Sequence, residues 1–421
     1  MTIATTGATA DPGTTRSYQL TLVGLLSLNF GILFFDRNAL NFLMPFVQPD
    51  LKLSFTEIGL LGSALSLTWA LAGFFVGWLS DRTGKRKIII VVSTLAFCAC
   101  SVLSGLASSF FMLLGARLLM GLAEGGVMPI SHALVAAEVS PERRGMAMGV
   151  TQNLGSNLLG SSAAPLILIP VAMAWGWREA FFLAAVPGLI SALLIIFFVK
   201  EPAKVVHAPA VGDDTIAAAG RSPFLRRNLL VCGAIGILLV SYLVVCWAFM
   251  TLILTQLRGY DPDTAKWLMA TLGFSAAISS FVVPGISDYV GRKPVMIVVP
   301  LIGVILPLGV LFYGGSPWVL AVIFFFGWAL NGVFPMFMAT IPSETVEAHH
   351  IATAAGLVMG TSEILGGVLS PSLAGWLADG HGLSAPLWLM LVLCIGAGLL
   401  AFLLEETAPR IVARRAAATG L

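Results

Sequence analysis

Asp81-Arg82-Thr83-Gly84-Lys85-Arg86 is a charged turn between two long apolar runs, and Asp288-Tyr289-Val290-Gly291-Arg292-Lys293 repeats it 207 residues later. A second pair agrees with the first: Pro129 and Glu138 recur as Pro335 and Glu344, an offset of 206. Two matching offsets near half of a 421-residue chain indicate a duplicated unit. What is duplicated follows from composition. Hydrophobic residues make up 58% of the chain and charged ones 10%, with a mean hydropathy of +0.94, whereas soluble domains carry about a quarter charged residues. The chain reads as an all-α membrane protein, which excludes a large extramembrane enzyme. A net charge of +2 supplies no polycation for nucleic acid.

Apolar segments bounded by charged or Gly/Pro-rich turns fall at 18–46, 55–79, 87–107, 109–137, 143–172, 179–199, 229–257, 266–287, 294–313, 317–341, 350–378 and 384–404. At roughly 20 residues per spanning helix, these are twelve transmembrane spans. They fall into a first six-helix bundle (18–199), a polar, Ala/Pro-rich linker (200–228) and a second six-helix bundle (229–405), flanked by tails at 1–17 and 406–421. The first tail lacks the basic region of a signal peptide. With the N-terminus placed in the cytoplasm, 17 of the 23 Lys and Arg residues fall on that side, and Lys52, Arg178, Arg258 and Lys266 on the other. Basic loops resist translocation, so both termini are expected in the cytoplasm of an inner or plasma membrane. The remaining two, Arg37 and Arg117, lie inside apolar segments. The five cysteines also lie in apolar runs without metal-ligand spacing, and read as packing residues.

The stretch Gly77-Trp78-Leu79-Ser80-Asp81-Arg82-Thr83-Gly84-Lys85-Arg86-Lys87 resembles the loop 2–3 motif of the major facilitator superfamily, and Pro284 to Lys293 resembles its weaker second copy. The resemblance covers about 18–405. Further elements are similar to the anion:cation symporters, which carry sugar acids and related carboxylates with protons. These are Asp36-Arg37, Arg117-x3-Gly121-x2-Glu124-Gly125-Gly126 with Pro129, Glu142-Arg143-Arg144-Gly145 and Trp177-Arg178 before Phe181-Phe182. The same segments also resemble spinster-like lysolipid and sphingolipid transporters. In the superfamily the motif's aspartate latches onto the other bundle, so the resemblance implies a gating role for Asp81, Arg82, Arg86, Arg144, Asp288 and Arg292. The alternative for these residues is topology alone.

An ionised side chain at the bilayer centre costs roughly 3 kcal/mol on insertion scales, so Asp36, Arg37, Arg117, Glu124 and Glu363 require partners or a wet cavity. Asp36 and Arg37 lie about 100° apart on a helix and can face different partners; Arg117 and Glu124 stand on one face about two turns apart. Arg37, with Arg117 as a second candidate, is expected to bind a substrate carboxylate through its planar fork of donors. Asp36 and Glu124 are the expected proton carriers, since protonating either releases its hold on an arginine. The competing reading is a static ion-pair network. The repeat offset maps these positions onto Leu243, Val244, Ile323 and Leu330, so coupling is expected to reside in the first half. Glu363 remains as a cavity or bracing carboxylate.

Neutral candidates for substrate contact are Trp69, Gln152, Asn153, Asn157, Tyr242, Trp247 and Asn331, each with interhelical hydrogen bonding as the alternative. Gln152/Ser156 and Asn153/Asn157 form i,i+4 pairs, which on an α-helix are two polar stripes. His132 is a candidate relay or a packed donor. Span 5 lacks a Gly-Pro-x-x-Gly-Gly core, favouring symport or uniport over drug exchange. No Walker motif, nucleophilic triad or metal cluster is present, and His349-His350 is too isolated for zinc. The expectation is a monomeric, cofactor-free secondary transporter, not an enzyme, that imports a small organic anion with protons. A spinster-like lipid transporter and a non-transporting ligand sensor are the alternatives.

Overall fold

Helix starts and stops are written locally in the chain. Ser54 and Glu57 form a reciprocal capping box at the start of span 2, and Asp261 caps span 8 through the Thr264 amide, with Pro262 at the first helical position. Gly84, at φ 69°, ends span 2 in the left-handed conformation that glycine adopts without strain. The structure, a computed structural model, describes residues 15–201, 226–347 and 350–419. Most of the expected linker (202–225) lies outside the described residues, as does His349.

Eleven helices among the described residues are long and apolar enough to cross a membrane: Arg16–Leu51, Phe55–Ser80, Arg86–Gly105, Phe110–Glu138, Met146–Trp175, Trp177–Phe198, Arg227–Leu257, Pro262–Val290, Arg292–Phe312, Pro317–Thr345 and Thr353–His381. The shorter Ala385–Ala401 completes twelve, and we number them spans 1 to 12. Spans 1 to 6 and 7 to 12 form two bundles that meet through spans 1 and 7, 2 and 11, and 5 and 8. The five cysteines are buried, two in span 3, two in span 7 and one in span 12.

Several spans are irregular along their length, and the π-helical stretches of spans 5 and 11 lie against the opposite bundle. Span 4 breaks at Gly125-Gly126. Span 10 tightens into a 3-10 turn at Ala329–Val333. Span 5 is π-helical over Val150–Leu154 and Ser156–Ala163, and span 11 over Ser362–Val368. π-Helical turns concentrate at functional sites because the extra residue per turn re-aims side chains. In span 5 this overturns the expected i,i+4 stripes. The Ser156 hydroxyl turns back to the Gln152 carbonyl (2.6 Å) and is buried, while Gln152, Asn153 and Asn157 remain partly exposed.

The two bundles are joined at the ends of the spans away from the basic loops. There the Asp379 carboxylate of span 11 accepts the Phe55 and Thr56 amides that begin span 2, each at 2.9 Å, and the Thr56 hydroxyl at 2.6 Å. Ser63 bonds Ser372 (2.7 Å) and Gln256 donates to Gln48 (2.7 Å). Glycines permit the approach: a β-carbon at Gly59 would stand 2.1 Å from the Pro371 carbonyl oxygen, and one at Gly375 2.2 Å from that of Phe55. A carboxylate on the free amides of a helix N-terminus contributes about 1 kcal/mol. Asp379→Ala is accordingly expected to speed hydrogen exchange of the Phe55 and Thr56 amides by about tenfold, read on the peptide that contains them. An unchanged rate would remove Asp379 from the closure.

Candidate functional site

Asp36 and Arg37 are neighbours in sequence but face opposite ways. Asp36 points into the first bundle, fully buried, and its Oδ1 accepts the Ser101 hydroxyl of span 3 at 2.6 Å. Ser101 also lies 3.1 Å from the Phe181 carbonyl of span 6. About two turns away, Asn29 repeats this pattern by accepting from Thr94 (3.1 Å) and Ser191 (2.8 Å), so spans 1, 3 and 6 are tied at two levels. The second Asp36 oxygen has no hydrogen-bond partner.

Arg117, only 2% exposed, shares that interior. Its Nη1 donates to the Arg37 carbonyl at 3.2 Å, and its guanidinium lies over the Phe181 ring, 5.8 Å from the centroid. Nε and Nη2 find no acceptor. Asp36 and Glu124 both act on it electrostatically. The second candidate for the substrate cation is thus turned into the bundle, away from the interface.

Arg37 faces the other way. Its guanidinium lies 5.5 Å from the Phe34 ring centroid and 5.2 Å from that of Trp69, a cation–π arrangement on two sides. Its Nη1 is 4.0 Å from Glu124 Oε2, an ion pair too long to be a hydrogen bond. The Arg37 side chain is 16% exposed, Glu124 is enclosed, and neither carboxylate oxygen of Glu124 has a hydrogen-bond donor. The guanidinium of Arg37 makes no hydrogen bond to any other described residue. Unpaired polar atoms of this kind are costly in a low-dielectric interior. Here they cluster around one cation that remains partly exposed.

The backbone explains why Trp69 is there. A β-carbon at Gly121 would meet the Thr68 hydroxyl at 2.1 Å and one at Gly125 the Trp69 carbonyl at 2.3 Å, so the glycines of span 4 seat span 2 directly against Glu124. Gln152, Asn153, Asn157 and Asn331 are partly exposed, with side-chain amides unbonded to other described residues. Glu363 lies on span 11 near Ser66 of span 2, within electrostatic reach of Arg37. Tyr242 is placed differently: it is fully buried, and its hydroxyl donates to the Gly303 carbonyl at 3.2 Å, bracing span 7 to span 9. Trp247 packs edge-on against Phe42 of span 1 (5.8 Å) and Trp328 of span 10 (5.5 Å), forming an aromatic plug across the interface. His132 is enclosed with Nε2 unpartnered.

The residues expected to gate lie at the basic-loop ends. The Asp81 side chain is outside the described residues. Arg82 stacks on Trp78 of its own span (5.4 Å), Arg86 donates to the Ala133 carbonyl and Arg144 to that of Val139. In the second copy Arg292 binds Glu344 through two nitrogens (2.9 and 3.3 Å), Asp288 at 2.6 Å and Ser287 at 2.5 Å. The repeated residues Asp288 and Glu344 thus converge on one arginine within the second bundle.

The family model described as Major Facilitator Superfamily matches residues 26–258 and 237–419. The chain belongs to the major facilitator superfamily. It is a multi-pass membrane protein of that family. Among curated relatives, a hexuronate transporter of Bacillus subtilis (strain 168) is 30% identical over 289 residues, 65% of this chain and 66% of that one. A probable sulfoacetate transporter of Cupriavidus necator is 29% identical over 258 residues, 57% and 58% of the two chains. The chain therefore spans about two thirds or less of these relatives' lengths. A crystal structure of a bacterial homolog of the human lysosomal transporter Spinster, inward-facing and occupied, superposes with a TM-score of 0.76 at 18% identity, covering 93% of this chain and 97% of that one. That similarity speaks to the fold alone.

Sequence reasoning did not single out Ser101, Asp379, Ser63 and Ser372. An isolated serine in an apolar helix carries no sign of the carboxylate it serves. Asp379, followed by Gly380 and His381, reads as ordinary loop polarity at a helix end.

Proposed function

We propose that this transporter imports a small organic monoanion together with protons by alternating access. The observation that carries the reading is the Arg37 guanidinium, which stays partly exposed without a hydrogen-bond acceptor among the described residues while held between Phe34 and Trp69. A planar fork of donors suits a carboxylate or sulfonate. Arg117 is enclosed, so the cavity offers one cation and favours a single anionic group on the solute. Glu124 loses its partner when a substrate anion takes Arg37, and binding a proton there compensates; Asp36, enclosed in the same bundle with Arg117, is the second proton carrier. With the basic loops in the cytoplasm, the seal formed by Asp379, Gly59 and Gly375 closes the outer face, which corresponds to the inward-facing stage of the cycle. The hexuronate and sulfoacetate relatives support the substrate class by similarity: compact organic acids, the first named for a singly charged acid and the second for one that carries both a sulfonate and a carboxylate.

Proteoliposome uptake of a panel containing glucuronate, sulfoacetate, succinate and benzoate, with and without an inward proton gradient, tests this. At least one monoanion is expected to accumulate only with the gradient. Asp36→Asn and Glu124→Gln are expected to lose that accumulation yet retain exchange of internal for external substrate. Gradient-independent uptake of every acid, or lysolipid movement in its place, would reverse the assignment.

A further inference from the structure

Glu363 is the carboxylate that the second bundle contributes at membrane depth, and its surroundings assign it a partner. It stands in the π-helical stretch Ser362–Val368 of span 11. Gly366 and Gly367 follow it; a β-carbon on Gly366 would come within 2.6 Å of the Ile237 carbonyl oxygen of span 7, so span 11 is drawn tightly against its own bundle. A β-carbon on Gly367 would lie 3.0 Å from Glu363 Oε2 and 3.8 Å from the Ser66 hydroxyl of span 2. The carboxylate therefore folds back over Gly367 toward span 2, at the seam between the bundles. Ser66 and Trp69 are one turn apart on one face of span 2. Trp69 carries the Arg37 guanidinium at 5.2 Å. One face of span 2 thus lies against Arg37 of the first bundle at Trp69 and near Glu363 of the second at Ser66. Glu363 receives no hydrogen bond from another described residue, and among the described residues Arg37 is the charged group that acts on it. Span 7, packed against span 11 through Gly236 and Ile237, brings no charge there, and Glu124 stands 4.0 Å from Arg37.

We propose that Glu363 is the counter-ion supplied to Arg37 by the second bundle in the empty carrier, a built-in competitor that the transported anion displaces. The inference rests on the reading of Arg37 as the anion site. Three carboxylates and two arginines share the membrane interior, so one carboxylate always lacks a cation of its own. In the empty state Glu363 and Glu124 divide Arg37 between them. When an anion binds, Glu363 loses its share and takes up a proton, so anion binding and protonation are linked across the bundle interface. At low pH the protonated Glu363 no longer competes.

The sign of this effect distinguishes it from a bracing role. In detergent-purified full-length protein, titrated calorimetrically with glucuronate and with benzoate, Glu363→Gln is expected to bind about tenfold more tightly than wild type at pH 8, and to match wild type at pH 5. Glu363→Asp, whose carboxylate is drawn back toward span 11, is expected to lie between them at pH 8, and it decides the question alone if the glutamine variant does not fold. Binding at pH 8 that is unchanged or weaker in the variants overturns the proposal and leaves the Arg37 site standing. Wild type that binds no carboxylate at either pH overturns both.

Discussion

Arg37→Ala protein is expected to lose substrate binding and uptake by about 100- to 10,000-fold while remaining folded. A hydrogen bond to a charged group contributes about 1.5–3 kcal/mol, a two-pronged pair makes two of them, and each 1.4 kcal/mol is tenfold in affinity. No neighbouring cation replaces it, because Arg117 is turned into the bundle with its guanidinium over Phe181. Arg37→Lys retains charge but not the planar fork, and its loss is expected to be intermediate. Calorimetric binding and proteoliposome uptake, measured together, check both. An Arg37→Ala variant with normal affinity and rate would move the anion site elsewhere.

The second large effect is steric. Ordinary contact begins near 3.4 Å, yet a β-carbon at Gly59 would stand 2.1 Å from the Pro371 carbonyl oxygen. That atom belongs to backbone and cannot swing aside as a side chain would. Gly59→Val must push span 2 from span 11, and overpacking of this kind costs about 1–3 kcal/mol. The cost falls on the closed outer face alone, since separating the helices relieves it, so the variant is held with that face open. Net uptake and exchange are both expected to fall by tenfold or more, with substrate binding in detergent retained. Gly115→Val, at a position with no atom within 4 Å of the added carbon, is the control and is expected to transport normally. Full transport by Gly59→Val would mean that this helix crossing does not form the seal.

These two residues show which parts of the protein were legible in its sequence. Hydropathy alone delimits twelve spans, because a bilayer demands a run of apolar residues of nearly fixed length. The Asp81 and Asp288 repeats reveal the duplication, and scarcity of charge singles out Arg37. Partners were a different matter. Sequence places Asp36 and Arg37 about 100° apart but does not say which one meets Ser101 and which meets Trp69. That choice depends on which helices lie on either side of span 1. The π-helical turns of span 5 also escape a reading based on 3.6 residues per turn, so Ser156 turned out to be bonded to its own backbone. Gly59 and Gly375 look like two among 44 glycines until the crossing carbonyls of Pro371 and Phe55 are in view.

The burial of all five cysteines has a practical consequence. Thiol-directed probes, whether fluorophores, spin labels or maleimides, react with the surface first, and the five buried cysteines offer them no surface thiol. A single cysteine introduced beside Gln48 or near the basic loops would stand out against a silent background without any native cysteine being removed. The two faces of the carrier can therefore be watched separately as it turns over, in protein whose packed interior is untouched.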